Sequence, residues 1–320
     1  MSTETTAHGT TKLPQVLDDV PGWFPVLDQL LFDWVLTRQE DAGDRGDLLE
    51  VGVYMGKSAI FLGNHLQEGE AYTVCDLFES DAPDDANAAE ANKSYRSTLT
   101  RRAFEANYLS FHDELPRVLQ GPSSIVPGEV KPRSCRFVHI DASHLYEHVY
   151  GDITAAQDIL LPGGIVVLDD FRSEHTPGVS IAAWEAVLNR GLNPICISTQ
   201  KLYGTWGDAE PIQDALLEMI GQRDDCHLSN QQAAGHRIIR LKSKGMKAPA
   251  FPNSRHWTAP EPKPAPQPKP TPAAAAPKPQ PRPAKPPRSA ARRLAVDLLP
   301  PVVTRAIVRA KANKRAAANK

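Results

Sequence analysis

The chain has 320 residues, 41% of them hydrophobic, which is enough apolar material for a sizeable core and predicts one α/β domain with an appendage. The formal net charge of −2 conceals an asymmetry. Residues 246–320 hold 16 of the 36 basic and 2 of the 38 acidic side chains, for +14, which leaves −16 on residues 1–245.

The four cysteines have no CxxC spacing and no accompanying histidine pair, which argues against a zinc site and favours free thiols in a reducing cytoplasm. No apolar run is long enough to cross a bilayer, and the polar first twelve residues lack the apolar segment of a secretory signal, so we expect a cytoplasmic protein.

Apolar residues and turn residues alternate along the chain in a regular order. Residues 1–12 predict a disordered leader, and helical apolar spacing over 13–37 predicts one or two helices before the buried strand LLEVGVY. We predict further helices at 58–65, 88–107, 145–160 and 180–189, and strands at 72–77, 118–119, 137–140, 165–168, 194–198 and 237–241. This alternation predicts a doubly wound, mostly parallel sheet with helices on both faces, preceded by N-terminal helices.

The composition changes after residue 245. Residues 246–320 contain 17 of the 29 prolines, and a low-complexity stretch of this kind cannot bury enough apolar surface to offset its ordering entropy. We therefore predict a domain at 13–245, a disordered Pro-rich linker at 246–289 and a basic amphipathic tail at 290–320. The tail is compatible with peripheral contact to an anionic membrane or an acidic partner, and equally with a solubilising segment.

Glycines follow the first predicted strand, in LLEVGVYMGKS. Glu50, Gly52, Gly56 and Ser58 stand at a strand–turn–helix junction, where glycine lets the backbone turn sharply and approach a ligand, and where a helix N-terminus offers free N–H groups. The spacing E-x-G-x-x-x-G differs from the dinucleotide pattern G-x-G-x-x-G. A plain structural turn is the alternative interpretation.

Asp76 closes the next apolar strand, TVCDLF, 26 residues after Glu50. A nucleoside-binding α/β fold places an acidic residue at this point, where it can accept hydrogen bonds from the ribose hydroxyls. The alternative is a solvated aspartate at a strand end. The glycine turn and Asp76 together favour a nucleoside ligand.

A third block, FVHIDASHLYEHVYGDITAAQDILLPGGIVVLDDF, joins two buried strands. The first ends in Asp141, with His144 three residues later, and the second ends in Asp169 and Asp170. Both strand ends open on the carboxyl edge of a parallel sheet, so these side chains are expected to converge. Carboxylates gathered in this way favour a cation, and oxygen ligands suit Mg²⁺. Alternatively, Asp141 and Asp169 cap the helices that follow.

These motifs, ExGxxxGxS, the acidic strand end at Asp76, IDxSHxYExVxxD and LxPGGIVVLDD, resemble the class I S-adenosylmethionine (SAM) dependent methyltransferases, in particular the subgroup of metal-dependent macrolide-sugar O-methyltransferases. The resemblance covers about residues 45–240 and implies a Rossmann-like fold. Residues that it implies in SAM binding are Glu50, Gly52, Gly56, Ser58, Asp76 and, through the short Gly121–Ser123 match, Ser123. The resemblance also implies that Mg²⁺ is bound by Asp141, Asp169 and Asp170, and that His144 is the general base, with Asp141 as a second catalytic residue.

The expected function is methyl transfer from SAM to an oxygen nucleophile of a small molecule or glycan, such as a sugar or natural product. An oxidoreductase or oxygenase-like relative on the same sheet is one alternative, although the missing G-x-G-x-x-G argues against a nicotinamide cofactor. A non-catalytic SAM-binding module with an interaction tail is another. We expect no specific nucleic-acid partner, and a homo-oligomer is compatible with the sequence.

Three further features are less specific. His139 lies inside a buried strand and is predicted to be a core histidine. His175, in the loop after the Asp pair, is either a second base or an ordinary surface histidine. The stretch KLYGTW, residues 201–206, either lines an acceptor pocket or forms a packed turn.

Overall fold

The computed structural model of the chain describes residues 13–86, 88 and 99–259. These residues belong to the first of two compact units, Met1–Pro260, and the second unit, Glu261–Lys320, falls outside them. The described strands form one sheet with helices on both faces, which confirms the predicted α/β class.

The strands are β1 Asp47–Val51, β2 Tyr72–Asp76, β3 Arg117–Gln120, β4 Cys135–Ile140, β5 Leu160–Leu168, β6 Asn193–Ile197, β7 Leu202–Thr205, β8 Cys226–Ala233 and β9 His236–Ser243. The helices are α1 Val26–Ala42, α2 Lys57–Gly63, α3 Arg101–Tyr108, α4 Val126–Glu129, α5 Tyr146–Ile159, α6 Pro177–Asn189 and α7 Glu210–Gly221, with 3₁₀ turns at Leu17–Asp19 and Ser123–Ile125.

The sheet has the strand order β3-β2-β1-β4-β5-β7-β6-β9-β8. The five strands from β3 to β5 are parallel, whereas β7 runs antiparallel between β5 and β6 and β8 pairs antiparallel with β9. The chain order reverses between β1 and β4, which is where ligands bind in open sheets of this kind.

Successive residues of the central strands pack on opposite faces of the sheet. Leu48 and Phe137 belong to the core cluster that includes side chains of α1, α2 and α3, whereas Leu49 and Val138 belong to the cluster that includes α5 and α6. Because helices cover both faces, these strands are buried on both sides and are mostly apolar, with Glu50, Arg136 and His139 as buried polar residues among them. This double coverage made them the easiest elements to predict.

The register of the strands brings the ends of four of them together. Val51 is level with Cys75 on one side and Ile140 on the other, and Ile140 is level with Leu168. The residues that end or follow these strands therefore stand side by side along the carboxyl edge: Gly52, Asp76, Asp141 and Asp169.

The structure differs from the prediction between residues 198 and 237, where it has β7, α7 and β8. β7 has only four residues, and β8 is polar and largely exposed, so neither carries an apolar alternation. Of the predicted helix at 88–107, residues 89–98 lie outside the described residues. α3 begins at Arg101, because the Thr100 side chain accepts a hydrogen bond from the Ala103 amide (3.1 Å) and caps the helix there.

The packed chain continues beyond residue 245, where the sequence placed the start of the linker. The Phe251 ring stacks on Phe61 with centroids 5.2 Å apart. The Ser254 hydroxyl donates to the Pro14 carbonyl (2.6 Å), and the Arg255 amide donates to the Ser110 carbonyl (2.9 Å). Aromatic burial and backbone hydrogen bonds hold this segment despite its prolines, so the boundary at 245 is too early.

The predicted leader at 1–12, and the linker and tail from residue 260 onward, lie outside the described residues. Within the described part of the chain, no helix combines the length and the apolar character that crossing a membrane requires. The four cysteines are free thiols, as expected.

Candidate active site

The loop after β1 is shaped by Gly52. Its φ of +85° is in the left-handed region, and a Cβ on this residue would lie 1.9 Å from the carbonyl oxygen of Asp141. Only glycine combines that backbone conformation with so close an approach. The Gly52 amide donates to the Cys75 carbonyl (2.7 Å), so the loops after β1, β2 and β4 form one continuous floor.

Asp76 at the end of β2 shapes the same loop with its side chain. Oδ2 accepts hydrogen bonds from the amides of Val53 (2.8 Å) and Tyr54 (3.0 Å), and Oδ1 accepts one from the amide of Phe78 (2.9 Å). Burial raises the pKa of this carboxyl against the opposing effect of the three amides. A carboxylate offers about four acceptor positions, so about one remains for a ligand.

A cavity of about 450 Å³ opens above this floor. Its wall includes residues from the carboxyl ends of all five parallel strands and from the segment before α1, among them Trp23, Asp76, Ser123, Asp141, His144 and Asp170. The volume is in the range of pockets for small molecules and cofactors.

We call Asp141, Asp169 and Asp170 the carboxylate cluster. Burial and the adjacent carboxylate of Asp169 raise the pKa of Asp141 well above its ordinary value. Burial opposes ionisation of Asp169 as well, but the Lys201 ammonium group, which contacts Asp169 Oδ2, outweighs burial and lowers the carboxyl pKa to about 2. Asp169 therefore ionises more readily than Asp141.

His139 and Glu50 continue this set of contacts beneath the cavity. The Lys201 ammonium nitrogen lies 3.2 Å from His139 Nε2, and His139 Nδ1 lies 2.8 Å from Glu50 Oε1. Both His139 and Glu50 are fully buried. Glu50 also accepts hydrogen bonds from the hydroxyls of Ser58 (2.5 Å) and Tyr72 (2.8 Å), so three partners inside the protein contact its carboxylate.

His144 faces the other end of the carboxylate cluster. Its Nε2 lies 2.9 Å from Asp170 Oδ2, and the Ser173 hydroxyl donates to Asp170 Oδ1 (2.5 Å). Burial opposes ionisation of Asp170, but the hydrogen bonds from His144 and Ser173 lower the pKa of its carboxyl. Asp170 has a positive φ of 53°, which turns the chain sharply after β5. The charged Asp170 thus orients the His144 ring in the cavity wall.

A family profile described as a methyltransferase domain matches residues 49–171, which span β1 to β5 and every residue of the carboxylate cluster. Residues 49–171 are a methyltransferase domain. This match favours methyl transfer over the oxidoreductase alternative.

Solved structures similar to this chain include methyltransferases. The O-methyltransferase NovP is 19% identical, and the alignment covers 56% of this chain and 79% of NovP with a TM-score of 0.47. CalS11, a TDP-rhamnose 3'-O-methyltransferase of calicheamicin biosynthesis, is 19% identical over 57% of this chain and 80% of its own, with a TM-score of 0.41. PaMTH1 from Podospora anserina, solved with SAH bound, is 14% identical over 60% of this chain and 86% of its own, with a TM-score of 0.41. At these identities the likeness concerns the fold alone. No curated protein sequence matches the chain.

Most residues that the sequence singled out meet at the cavity of the methyltransferase. Its wall contains Gly52, Ser58, Asp76, Ser123, Asp141, His144, Asp169, Asp170 and also His175. Glu50 and Gly56 do not line the cavity. Glu50 lies beneath its floor, where Ser58, Tyr72 and His139 occupy its carboxylate, and Gly56 turns the chain into α2 with a φ of +93°.

Ser123 has a buried partner whose ionisation is testable. Asp152 on α5 is its neighbour, and burial, only partly offset by the Ser123 hydroxyl and by His148, raises the Asp152 pKa from 3.8 to about 6. Ionisation of Asp152 therefore costs stability, and the free energy of unfolding falls as the pH rises from about 4 to 6. We expect Asp152→Asn to raise this free energy at pH 7.5 by about 1–3 kcal/mol and to have a smaller effect near pH 4. Denaturant unfolding at both pH values measures the difference, and equal stabilisation at both would contradict the assignment.

Two contributors to the site carried little signal in the sequence. Lys201 stood in a stretch interpreted as either a pocket loop or a packed turn, and the structure buries it with 1% of its side chain exposed. Trp23 appeared only as part of a helical apolar pattern. It is 71% exposed at the cavity, and its ring stacks on Tyr54 with centroids 5.9 Å apart.

Proposed function

We propose that this methyltransferase transfers the methyl group of SAM to a hydroxyl oxygen of a small-molecule or glycan acceptor, with His144 as the general base. The observation that carries the proposal is the His144 ring in the cavity wall, held by Asp170 at 2.9 Å. In the transfer, the carbon–sulfur bond of the sulfonium breaks as a carbon–oxygen bond forms, and the hydroxyl proton moves to the histidine. The sulfonium is already activated, so alignment of donor and acceptor supplies much of the catalysis.

The contact with Asp170 defines which nitrogen of His144 acts as the base. A charged carboxylate only accepts hydrogen bonds, so Nε2 carries the hydrogen that points at Asp170. In the neutral ring the lone pair is then on Nδ1, which we propose accepts the proton. Asp170 also stabilises the imidazolium that forms, in the way that a buried carboxylate supports a catalytic histidine elsewhere.

The donor and acceptor occupy different ends of the cavity in this proposal. Asp76 and Ser123 contact the nucleoside half of SAM, which places the methyl group toward His144. The acceptor then lies between His144 and the exposed ring of Trp23. A large aromatic face whose edge is exposed to solvent suits packing against the apolar face of a sugar or another ring system.

Mg²⁺ was expected at the carboxylate cluster, and the contacts of these residues do not fit it. Asp169 Oδ2 is bonded to Lys201, while Asp170 directs Oδ2 at His144 and accepts from Ser173 on Oδ1. Mg²⁺ requires oxygen ligands arranged octahedrally around one point. The carboxylate oxygens that are bonded to Lys201, His144 and Ser173 do not have this arrangement. No step of the proposed reaction therefore passes through a metal.

The function is tested with SAM that carries an isotopically labelled methyl group. We expect the purified full-length protein to add the labelled group to a hydroxyl-bearing compound from a set of sugars and natural products, as detected by mass spectrometry. The matched control is the same compound with that hydroxyl replaced by hydrogen. Labelling of the control, or of amines alone, would contradict oxygen as the nucleophile.

Removing the Asp76 carboxylate should weaken the donor site. We expect Asp76→Ala to reduce SAM affinity by about 1–3 kcal/mol, because a ribose hydroxyl loses a charged partner and the amides of Val53 and Tyr54 lose their acceptor. Glu79→Ala is the matched control, since it removes a nearby exposed carboxylate that does not line the cavity. Calorimetry on both variants measures the effect, and an unchanged SAM affinity in folded Asp76→Ala would exclude the assignment.

A further inference from the structure

Lys201 is held inside the protein by the turn between β6 and β7. The Ser198 hydroxyl accepts hydrogen bonds from the amides of Gln200 (3.3 Å) and Lys201 (3.0 Å), and the Ser198 amide donates to the Lys201 carbonyl (2.9 Å). The following residue, Leu202, is level with Leu168 on β5. The residues just beyond that pair, Lys201 and Asp169, therefore lie next to each other, and the lysine points inward.

The contacts of Lys201 define the hydrogen-bonding state of His139. An ammonium group has only donors, so His139 Nε2, 3.2 Å away, accepts its hydrogen bond. His139 Nδ1 then carries a hydrogen and donates it to Glu50 Oε1 at 2.8 Å. The Nε2 lone pair is thereby committed to Lys201.

A group of three side chains among the described residues could hold a metal ion. His139, Asp141 and Asp169 each place a ligand atom within 4.8 Å of the others, and His139 Nε2 lies 4.0 Å from Asp169 Oδ2. Lys201 Nζ contacts both of those atoms. A divalent ion in this group would stand against the ammonium charge in a buried setting, where repulsion is weakly screened.

We propose that Lys201 is the resident cation of this site: its ammonium group occupies the position that a divalent metal would need, and it holds Asp169 and His139 in place without one. Lys201 is thus a positioning residue. It does not line the cavity, and it acts on the site through Asp169, which does. The proposal concerns the same site as the proposed methyl transfer, but it is tested by metal binding, which requires neither SAM nor an acceptor.

The test is a Mn²⁺ titration of the chelator-treated full-length protein, with free Mn²⁺ followed by electron paramagnetic resonance. We expect the wild-type protein to have no saturable Mn²⁺ site below millimolar concentration. Lys201→Met removes the ammonium group at similar side-chain length. This variant should bind one Mn²⁺ at least roughly tenfold more tightly than the wild type, because the carboxylate of Asp169 has lost its cationic partner and attracts the ion. Lys131→Met is the matched control, since it removes an exposed lysine that precedes the amino end of β4, and it should behave as wild type.

Thermal unfolding separates a resident cation from a merely structural lysine. Lys201→Met should have a lower Tm that Mn²⁺ partly restores, whereas Lys201→Met combined with Asp169→Asn should show no response to Mn²⁺. One tight Mn²⁺ site in the wild type, abolished by Asp169→Asn, would overturn the proposal, as would a Lys201→Met variant that folds and binds no Mn²⁺. If Lys201→Met does not fold, the wild-type titration and the double variant still decide. An absence of methyl transfer to any acceptor would contradict the proposed function and leave these binding results unaffected.

Discussion

Replacing His144 with alanine is expected to lower kcat by about 10²- to 10⁴-fold, the usual contribution of a positioned general base. SAM affinity should stay within about threefold of wild type, because the ring faces the acceptor end of the cavity and makes no contact needed for the nucleoside in this proposal. Steady-state kinetics with an identified acceptor, together with calorimetry for SAM, measures the two quantities separately. Loss of SAM binding in parallel with kcat would show that His144 supports the donor site instead.

His175 provides the control for this variant. It lines the same cavity, and its ring centroid lies 6.2 Å from that of His144, but it lies in the loop beyond Asp170. We expect His175→Ala to change kcat by less than about tenfold. Asp170→Asn should have an intermediate effect and alter the pH dependence of kcat, because it removes the charge that orients the His144 ring. Equal losses in the two histidine variants would contradict a unique base at position 144.

The central half of the sheet could be predicted because strands that are buried on both faces are recognisable in the sequence as short, mostly apolar segments. β1, β2, β4 and β5 are mostly apolar, and each ends at or just before a glycine or an aspartate that parallel strands must bring to one edge. β7 and β8 show no such apolar segment. β7 has four residues with Gly204 among them, and β8 is an exposed edge strand whose pairing with β9 is supplied by the backbone.

The site was only partly predictable for a related reason. Residue type and position near a strand end singled out Asp76, Asp141 and His144, which line the cavity, since those features are local in sequence. The direction of a side chain within a turn is not local. Lys201 points inward because the pairing of β7 with β5 places it beside Asp169, and that pairing depends on a strand that the sequence did not indicate. The motif around Glu50 likewise shows which residue is present, but it does not show that Ser58, Tyr72 and His139 contact its carboxylate.

Gly52→Ala is expected to destabilise the fold strongly and to weaken the donor site with it. An alanine Cβ would lie 1.9 Å from the Asp141 carbonyl oxygen, which is backbone and cannot rotate away, and the residue already has a φ of +85°. The loops after β1 and β4 would have to separate, so we expect the free energy of unfolding to fall by about 3–5 kcal/mol. SAM affinity should fall by roughly tenfold or more, because the floor of the cavity is made of these two loops.

Gly69 allows the steric effect to be separated from the backbone effect. Its φ of +83° is nearly that of Gly52, but no atom lies within 4 Å of a Cβ placed there. Gly69→Ala should therefore cost only the left-handed conformation, about 1–2 kcal/mol, and leave SAM affinity unchanged. Denaturant unfolding and SAM calorimetry on both variants give the comparison. If the two alanine variants lose equal stability and both retain SAM binding, the close approach of the β1 and β4 loops is not what forms the floor of the donor site.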